Sequence, residues 1–250
     1  MILSIIVANW KMYVAYAQAL EIIKTYNDEC APFVQEHNRL VIICPSFELL
    51  YPVGQRIQAM PSFLALGAQD CSAYPLGAHT GQVSALSLAE LGCSYCIVGH
   101  SEQRDAEGQT STLVAHKVMR LLEHRITPIV CIGEDATAYR TGTTYTLLKQ
   151  QLDPVLEISS RTTGCIYYAY EPVWAIGSGI VPTEVYLKNT LTWLSDYLSS
   201  FGRSCKLLYG GSVTAAVLPM LASFEKLNGV LVGSASVDFQ KFKNIVSWNK

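Results

Sequence analysis

The residues best placed to do chemistry centre on Glu171. It follows an apolar run, Cys165–Tyr170, that reads as a buried strand, so the carboxylate stands where the strand ends. Pro172 then stops any ladder, because it has no N–H and a fixed φ. The chain continues Val173-Trp174-Ala175-Ile176-Gly177-Ser178-Gly179. A stiff start, an apolar body and a glycine tip describe a hinged lid, Pro172 to Gly179, whose tip can bring backbone N–H groups close to an anion. One carboxylate at the root of a lid that excludes water is a plan for proton transfer in a closed site.

Four further polar groups follow strand-like runs. His100 comes after Tyr95–Val98 and precedes Ser101-Glu102-Gln103-Arg104, which reads as the first turn of a helix. A lone histidine there is commonly structural. A ring at a helix N-terminus, however, has its protonated form disfavoured by the dipole and can donate a hydrogen bond while neutral. Glu102 is either an acid that suits a helix start or the group that holds Lys11 across the mouth of the site. Lys11 itself could be a snorkelling surface lysine. Its neighbours Trp10 and Met12 make its surroundings apolar, and Asn9 beside it is expected to face the same mouth.

Two glycine turns, Gly210-Gly211-Ser212 and Gly233-Ser234, follow apolar runs near the C-terminus. Each is a weak signal alone. Together, on neighbouring strands, they make a phosphate cradle, with Gly177 of the lid supplying another N–H. A carboxylate base, a neutral imidazole, a lysine, an amide and a phosphate nest suit proton abstraction beside a carbonyl, stabilisation of the enediolate and return of the proton to the adjacent carbon. That is an aldose–ketose isomerisation of a small phosphorylated sugar. No metal triad, pyridoxal-type lysine or nucleotide fingerprint competes, so neither a cofactor nor a metal is expected.

These groups need a scaffold that gathers strand ends. Short apolar runs at Leu3–Ala8, Leu40–Cys44, Leu64–Ala68, Tyr95–Val98, Thr127–Ile132, Cys165–Tyr170, Lys206–Tyr209 and Gly229–Val232 alternate with helical patterns at Ala15–Cys30, Leu86–Leu91, Thr112–Glu123, Tyr145–Glu157, Glu184–Ser200 and Ala215–Leu221. The strands are continuously apolar, as in a parallel sheet covered on both faces. Eight βα units predict an α/β fold of the closed (β/α)8 TIM-barrel kind, eight parallel strands with outer helices, as one domain over residues 1–250. An open doubly wound sheet is the rival, but the first strand ends in Asn-Trp-Lys rather than a glycine fingerprint.

Half of the 250 residues are hydrophobic and 15% are charged, enough for a large core, and the formal charge is −2. That balance gives no general pull on nucleic acid or an anionic membrane, so an anionic substrate must be met by local groups. The N-terminal apolar run has no basic residue ahead of it and is not read as a signal peptide, and no run reaches membrane-spanning length. The eight cysteines lie mostly in or beside strand candidates, as structural thiols of a reducing compartment do, which points to the cytoplasm.

The motifs Asn9-Trp10-Lys11-Met12, Gly99-His100-Ser101-Glu102, Cys131-Ile132-Gly133-Glu134, Tyr170-Glu171-Pro172-Val173-Trp174-Ala175-Ile176-Gly177 and Tyr209-Gly210-Gly211-Ser212 resemble, in order and across essentially the whole chain, those of the triosephosphate isomerase family. The resemblance implies interconversion of D-glyceraldehyde 3-phosphate and dihydroxyacetone phosphate in glycolysis and gluconeogenesis. It implies Glu171 as base and His100 as electrophile, with Lys11 and Asn9 on the substrate. Gly177, Ser212, Gly233 and Ser234 take the phosphate. Glu134 and Trp174 steady the lid at its root, and Tyr209 latches it when closed.

The resemblance also implies a homodimer. The segment from Cys71 to Gln82 projects into the partner and sets Thr80 beside Asn9 and Lys11 of the partner subunit. The interface is expected to include Met12, Tyr13, Tyr74, His79, Thr80, Gln82 and Gln103. An exposed Tyr74-Pro75-Leu76 favours an interface independently. Amides stand at Gln82, Gln103 and Gln109 where the family commonly has Glu, Arg and Glu, an ionic network across the dimer. Exchanging all three avoids stranding a buried charge. Tyr13 replaces a usual Asn, Ile180-Val181-Pro182 replaces a hinge that starts with Lys, and Ser234 replaces a usual glycine. Pro182 fits as the first residue of the following helix, and Ser234 carries a cost if its position needs a positive φ. The competing readings are another phosphate-binding barrel isomerase and a non-catalytic binding protein on the same barrel. The second predicts loss of one of Asn9, Lys11, His100 and Glu171, and all four are present.

Overall fold

The computed structural model describes residues 3–60, 63–160, 163–177, 180–202 and 204–249. Eight parallel strands close into a barrel, each paired with its neighbours in sequence order and the last with the first. They are β1 (Ile5–Asn9), β2 (Leu40–Cys44), β3 (Leu64–Ala68), β4 (Tyr95–Val98), β5 (Thr127–Ile132), β6 (Ile166–Tyr170), β7 (Cys205–Tyr209) and β8 (Gly229–Val232). Closure brings Ile5 opposite Gly229. A Cβ on that glycine would lie 2.0 Å from the Ile5 carbonyl oxygen, so no larger residue fits this seam.

Alternation along each strand divides the core in two. Ile5, Val7, Ile42, Cys44, Ile97, Ile129, Cys131, Tyr167, Ala169, Leu208 and Leu231 fill the barrel interior. Ile6, Ala8, Val41, Ile43, Val98, Val130, Tyr168 and Tyr170 face outward against the helices. Both faces are therefore dry, which is why the strands read as unbroken apolar runs. The period of two also carries Asn9 and Glu171, next on the inward side after Val7 and Ala169, to the mouth.

Around the barrel run α1 (Tyr16–Glu36), α2 (Leu50–Gln58), α3 (Ala85–Glu90), α4 (Ser101–Ala106), α5 (Ser111–Glu123), α6 (Ala136–Thr141), α7 (Thr144–Ser159), α8 (Glu184–Ser199), α9 (Leu218–Leu221) and α10 (Phe239–Val246). Several start on side-chain caps, with Ser84, Thr110, Asp135, Thr183 and Asp238 each accepting a backbone N–H of the first turn.

Some elements differ from expectation. The first helix passes Pro32 rather than stopping at Cys30. Its buried row Tyr26, Cys30, Val34 continues, and the proline ring faces solvent, where a lost backbone bond is met by water. The pattern at Ala215–Leu221 shrinks to Leu218–Leu221, since Pro219 fits only a first turn. Pro182 is not the first helical residue: Thr183 is the N-cap of α8, and the proline precedes it. The helices α2, α6 and α10 were not anticipated.

Candidate active site

The ends of β1, β4, β6, β7 and β8 meet at one mouth, and each brings a polar group there. At the end of β1, Lys11 adopts φ 48°, a left-handed backbone that costs energy for a lysine. Two contacts hold it: its N–H donates to Asn9 Oδ1 at 3.1 Å, and its carbonyl accepts from Gln69 Nε2 at 2.8 Å. Gln69 also donates to the Cys44 carbonyl at 3.0 Å and so ties the turn to β2. Lys11 Nζ reaches Glu102 Oε1 at 2.6 Å. Glu102 lies in the first turn of α4, so both roles considered for it hold at once. The expected apolar surroundings of Lys11 are half present. Trp10 is fully buried, whereas Met12 points to solvent, 93% exposed.

His100 is the N-cap of α4 and is buried. Its Nδ1 accepts the Glu102 N–H at 3.3 Å. That nitrogen carries no proton, so the single ring hydrogen of the neutral imidazole sits on Nε2. Nε2 stands 3.3 Å from Glu171 Oε1.

Glu171 is 1% exposed. Its Oε2 accepts the Ser101 N–H at 3.1 Å, while Oε1 is buried and accepts no hydrogen bond among the described residues. The backbone beneath it is fixed from β5. The Glu171 N–H donates to the Ile132 carbonyl at 2.7 Å, and a Cβ on Gly133 would sit 1.6 Å from the Glu171 carbonyl oxygen. Gln151 from α7 clamps Gly133 through both its N–H and carbonyl, at 2.8 and 2.9 Å. Arg104 joins the strand ends alongside by donating to the carbonyls of Gly99 and Cys131, at 2.8 and 3.2 Å. Burial, reinforced by Glu171, pushes the Cys131 thiol well above its ordinary value.

The cradle residues lie beside these groups. Gly233 and the short 3-10 turn Ser234–Ser236 follow β8. A Cβ on Gly233 would come within 3.6 Å of Lys11 Cε, so the lysine flanks the cradle. Among the described residues other than glycine only Lys11, Asn38 and Arg125 have positive φ, so Ser234 meets no backbone penalty. Ser212 Oγ donates to the Ala175 carbonyl at 3.4 Å and links the cradle to the lid.

In the lid, Val173–Ala175 form a 3-10 turn after Pro172, followed by Ile176 and an exposed Gly177. Ser178 and Gly179 lie outside the described residues. Glu134 is fully buried at the lid root. It accepts Trp174 Nε1–H at 2.6 Å, the Tyr170 hydroxyl at 3.0 Å and the Tyr186 hydroxyl at 2.8 Å. Burial raises this carboxyl group above its ordinary value, and the donors Trp174, Tyr186 and Tyr170 oppose the rise. The Tyr209 hydroxyl is buried with no hydrogen-bond partner among the described residues, and burial takes it up to about 12.

The amides sort differently from a single linked trio. Gln109 Nε2 donates to Gln103 Oε1 and to Asp70 Oδ2, both at 2.9 Å, and Asp70 pairs with a buried Lys117 at 2.7 Å. Gln82 bonds Ser72 instead, at 2.5 Å. Met12, Tyr13 and Tyr74 are exposed, as are His79 and Thr80, and His79 stacks on Tyr74 at 4.4 Å. Cys93 and Cys96 have the C-x-x-C spacing, but both are buried free thiols, with Cys96 inside β4. Among the described residues, no His, Cys, Asp or Glu cluster has the makings of a metal site.

Gln69, Ser101, Arg104, Gln151, Tyr139 and Tyr186 were missed from sequence. Ser101 and Arg104 flank His100 in the chain and could have been taken with it. The others act through contacts between distant elements.

The triosephosphate isomerase family model matches residues 4–249. The triosephosphate isomerase of Aquifex aeolicus is 36% identical over 97% of this chain and 98% of that protein. Those of Colwellia psychrerythraea and Ralstonia nicotianae are each 38% identical, over 98% and 96% of this chain and 96% of each relative. With this span of likeness and the strand-end groups gathered at one mouth, the chain belongs to the triosephosphate isomerase family.

Proposed function

We propose that Glu171 is the base and His100 the electrophile as this isomerase interconverts D-glyceraldehyde 3-phosphate and dihydroxyacetone phosphate, a step of glycolysis and gluconeogenesis. One observation carries the assignment. A buried carboxylate oxygen that accepts no hydrogen bond among the described residues stands 3.3 Å from Nε2 of His100, whose Nδ1 is taken by the Glu102 N–H. The free lone pair on Oε1 takes the proton from the carbon beside the substrate carbonyl. The C–H electron pair moves toward the carbonyl oxygen, and the Nε2–H of His100 stabilises the charge that develops there. The carboxyl group then returns the proton to the adjacent carbon while the hydroxyl proton passes from one enediolate oxygen to the other, so aldose becomes ketose with no atom gained or lost.

Lys11 and Asn9 hold the substrate oxygens, and the lysine cation offsets the negative charge of the enediolate. Glu102 keeps Lys11 in place. Gly177, Ser212, Gly233 and Ser234 receive the phosphate, and the lid from Pro172 to Gly179 closes over it to exclude water. Glu171 leaves the Ser101 N–H to reach the substrate. The Tyr209 hydroxyl, without a partner among the described residues, serves the closed lid.

The same reading makes residues 1–250 one barrel domain, working as a homodimer in the cytoplasm. Support for the dimer comes from exposed Met12 (93%), Leu76 (65%) and Tyr13 (57%), apolar area that a partner would cover. Support for the compartment comes from eight free thiols. A coupled assay from each triose phosphate tests the activity. Glu171→Gln should lower kcat by about a hundredfold to ten-thousandfold while the protein stays folded. Turnover within a few-fold of wild type would end the assignment of the base.

A further inference from the structure

The lid is anchored at Trp174 by residues that are not part of it. Tyr139 of α6 stacks on the indole with ring centroids 3.9 Å apart and planes 16° from parallel. Tyr186 of α8 meets the same indole edge-on at 5.9 Å, and meets Tyr139 edge-on at 5.1 Å. Glu134 accepts the indole N–H at 2.6 Å and the Tyr186 hydroxyl at 2.8 Å. One face, one edge and the only polar hydrogen of the indole are thus met from outside the lid, in a box that Tyr139 and Tyr186 complete.

On the side of the mouth the lid is linked to the cradle through Ala175. Its bond from Ser212 Oγ to the Ala175 carbonyl is long, at 3.4 Å, and a Cβ on Gly177 would meet nothing within 4 Å. The buried Tyr209 hydroxyl has no partner among the described residues. Close to Trp174 in the chain, the Glu171 carboxylate is held on the Ser101 N–H. With Glu171 held on Ser101 and Tyr209 unlatched, this arrangement fits an open lid, whose closure over the mouth would take Trp174 out of the box.

We propose that Tyr139 and Tyr186 are positioning residues of the isomerase: they stabilise the open lid through Trp174 and so set how much of a ligand's binding energy is used to close it. The proposal rests on the functional reading above. A ligand that needs the closed lid binds with an affinity scaled by the closed fraction, so loosening the box raises that fraction and tightens binding. Neither tyrosine touches the substrate in this mechanism. Their effect passes through the lid to the base.

The test is titration of phosphoglycolate, a carboxylate mimic of the enediolate, against wild type, Tyr139→Leu, Tyr139→Phe and Tyr186→Phe, with KM and kcat measured beside it. Tyr139→Leu loses the stack and should bind the mimic about three- to tenfold tighter, with KM falling and kcat not rising. Tyr186→Phe keeps its ring, loses its bonds to Glu134 and to Thr144 Oγ1, and should bind about two- to fivefold tighter. Tyr139→Phe keeps the stack and should match wild type. A merely structural role would lower the melting temperature and leave the mimic's affinity alone. If Tyr139→Leu and Tyr186→Phe bind the mimic no more tightly than wild type, the box does not govern the lid. Wild type that isomerises while the variants stay unmoved defeats this proposal alone, and wild type that fails to isomerise defeats both readings.

Discussion

His100 Nε2 and Glu171 Oε1 face each other at 3.3 Å, inside a mouth where both side chains are buried. The ring reaches the site from the end of β4 and the carboxylate from the end of β6. Because Nδ1 is occupied by the Glu102 N–H, the imidazole has one orientation and one tautomer in which it donates from Nε2. His100→Gln keeps a donor but loses that fixed aim. We expect kcat to fall about a hundredfold to a thousandfold with a smaller change in KM. Steady-state kinetics in both directions checks it, and an unchanged kcat would remove the histidine from the electrophile role.

Glu134 makes a prediction about pH. Burial is the largest influence on it and raises its carboxyl group above the ordinary 4.5. The folded protein therefore keeps this proton at a pH where the unfolded chain has released it. Stability from this group is fully present below the unfolded value and is lost as pH rises through the folded one. Glu134→Gln cannot titrate. From pH 4 to 7.5 the stability of the variant relative to wild type should move in the variant's favour as pH rises. Urea unfolding at fixed protein concentration measures it. A relative stability that stays flat, or moves the other way, contradicts the sign.

The buried pair Lys117–Asp70, at 2.7 Å with Gln109 as a third partner, makes a prediction about charge. Lys117→Met alone leaves the Asp70 carboxylate in place with only an amide donor. The loss should be about 3 kcal/mol, the low end for breaking a buried pair, because Asp70 keeps some exposure. Removing both charges, as Lys117→Met with Asp70→Leu, should recover much of it. Thermal and urea unfolding of the two singles and the double form the cycle. A double variant as unstable as the sum of the singles would mean the two charges do not act as a pair.

How much of this was legible from sequence follows from where each signal lives. Strands β2, β3, β4, β5 and β8 begin and end where their apolar runs do, because a strand covered on both faces has no polar alternation to blur it. The chemistry was legible for the same reason. Asn9, Lys11, His100 and Glu171 are polar residues placed just beyond such runs, and one end of a parallel barrel collects them. Helices were harder. Pro52 and Gly54 inside α2 read as breakers, although Val53 and Ile57 bury its inner face. Helix α10 carried a usable signal in its Asp238 cap and its buried Phe242, Ile245 and Val246. The box around Trp174 could not be read, since Tyr139 and Tyr186 sit on two outer helices and become neighbours only through packing. The left-handed turn at Lys11 was equally hidden, because it depends on Asn9 and on Gln69 just beyond β3.

The proposed dimer is expected to be insensitive to salt. Across the interface region the residues at 82, 103 and 109 are amides, and two of them bond each other within one subunit at 2.9 Å. The ion pair beside that cluster, Lys117–Asp70, has its lysine buried and lies within a single subunit. Among the exposed side chains offered to a partner, Met12, Tyr13, Tyr74 and Leu76 are apolar or aromatic, and His79 and Thr80 add no full charge pair. Association then draws on covering apolar area, which added salt does not screen, rather than on long-range charge attraction, which it does. The dissociation constant from sedimentation should change by less than about threefold between low and high ionic strength, on the scale of one weakly screened contact. Gln103→Arg adds an unpaired cation at the proposed seam and should weaken association. A steep salt dependence of the wild-type constant, or a Gln103→Arg protein that associates more tightly at low salt, would mean that charge still governs the interface.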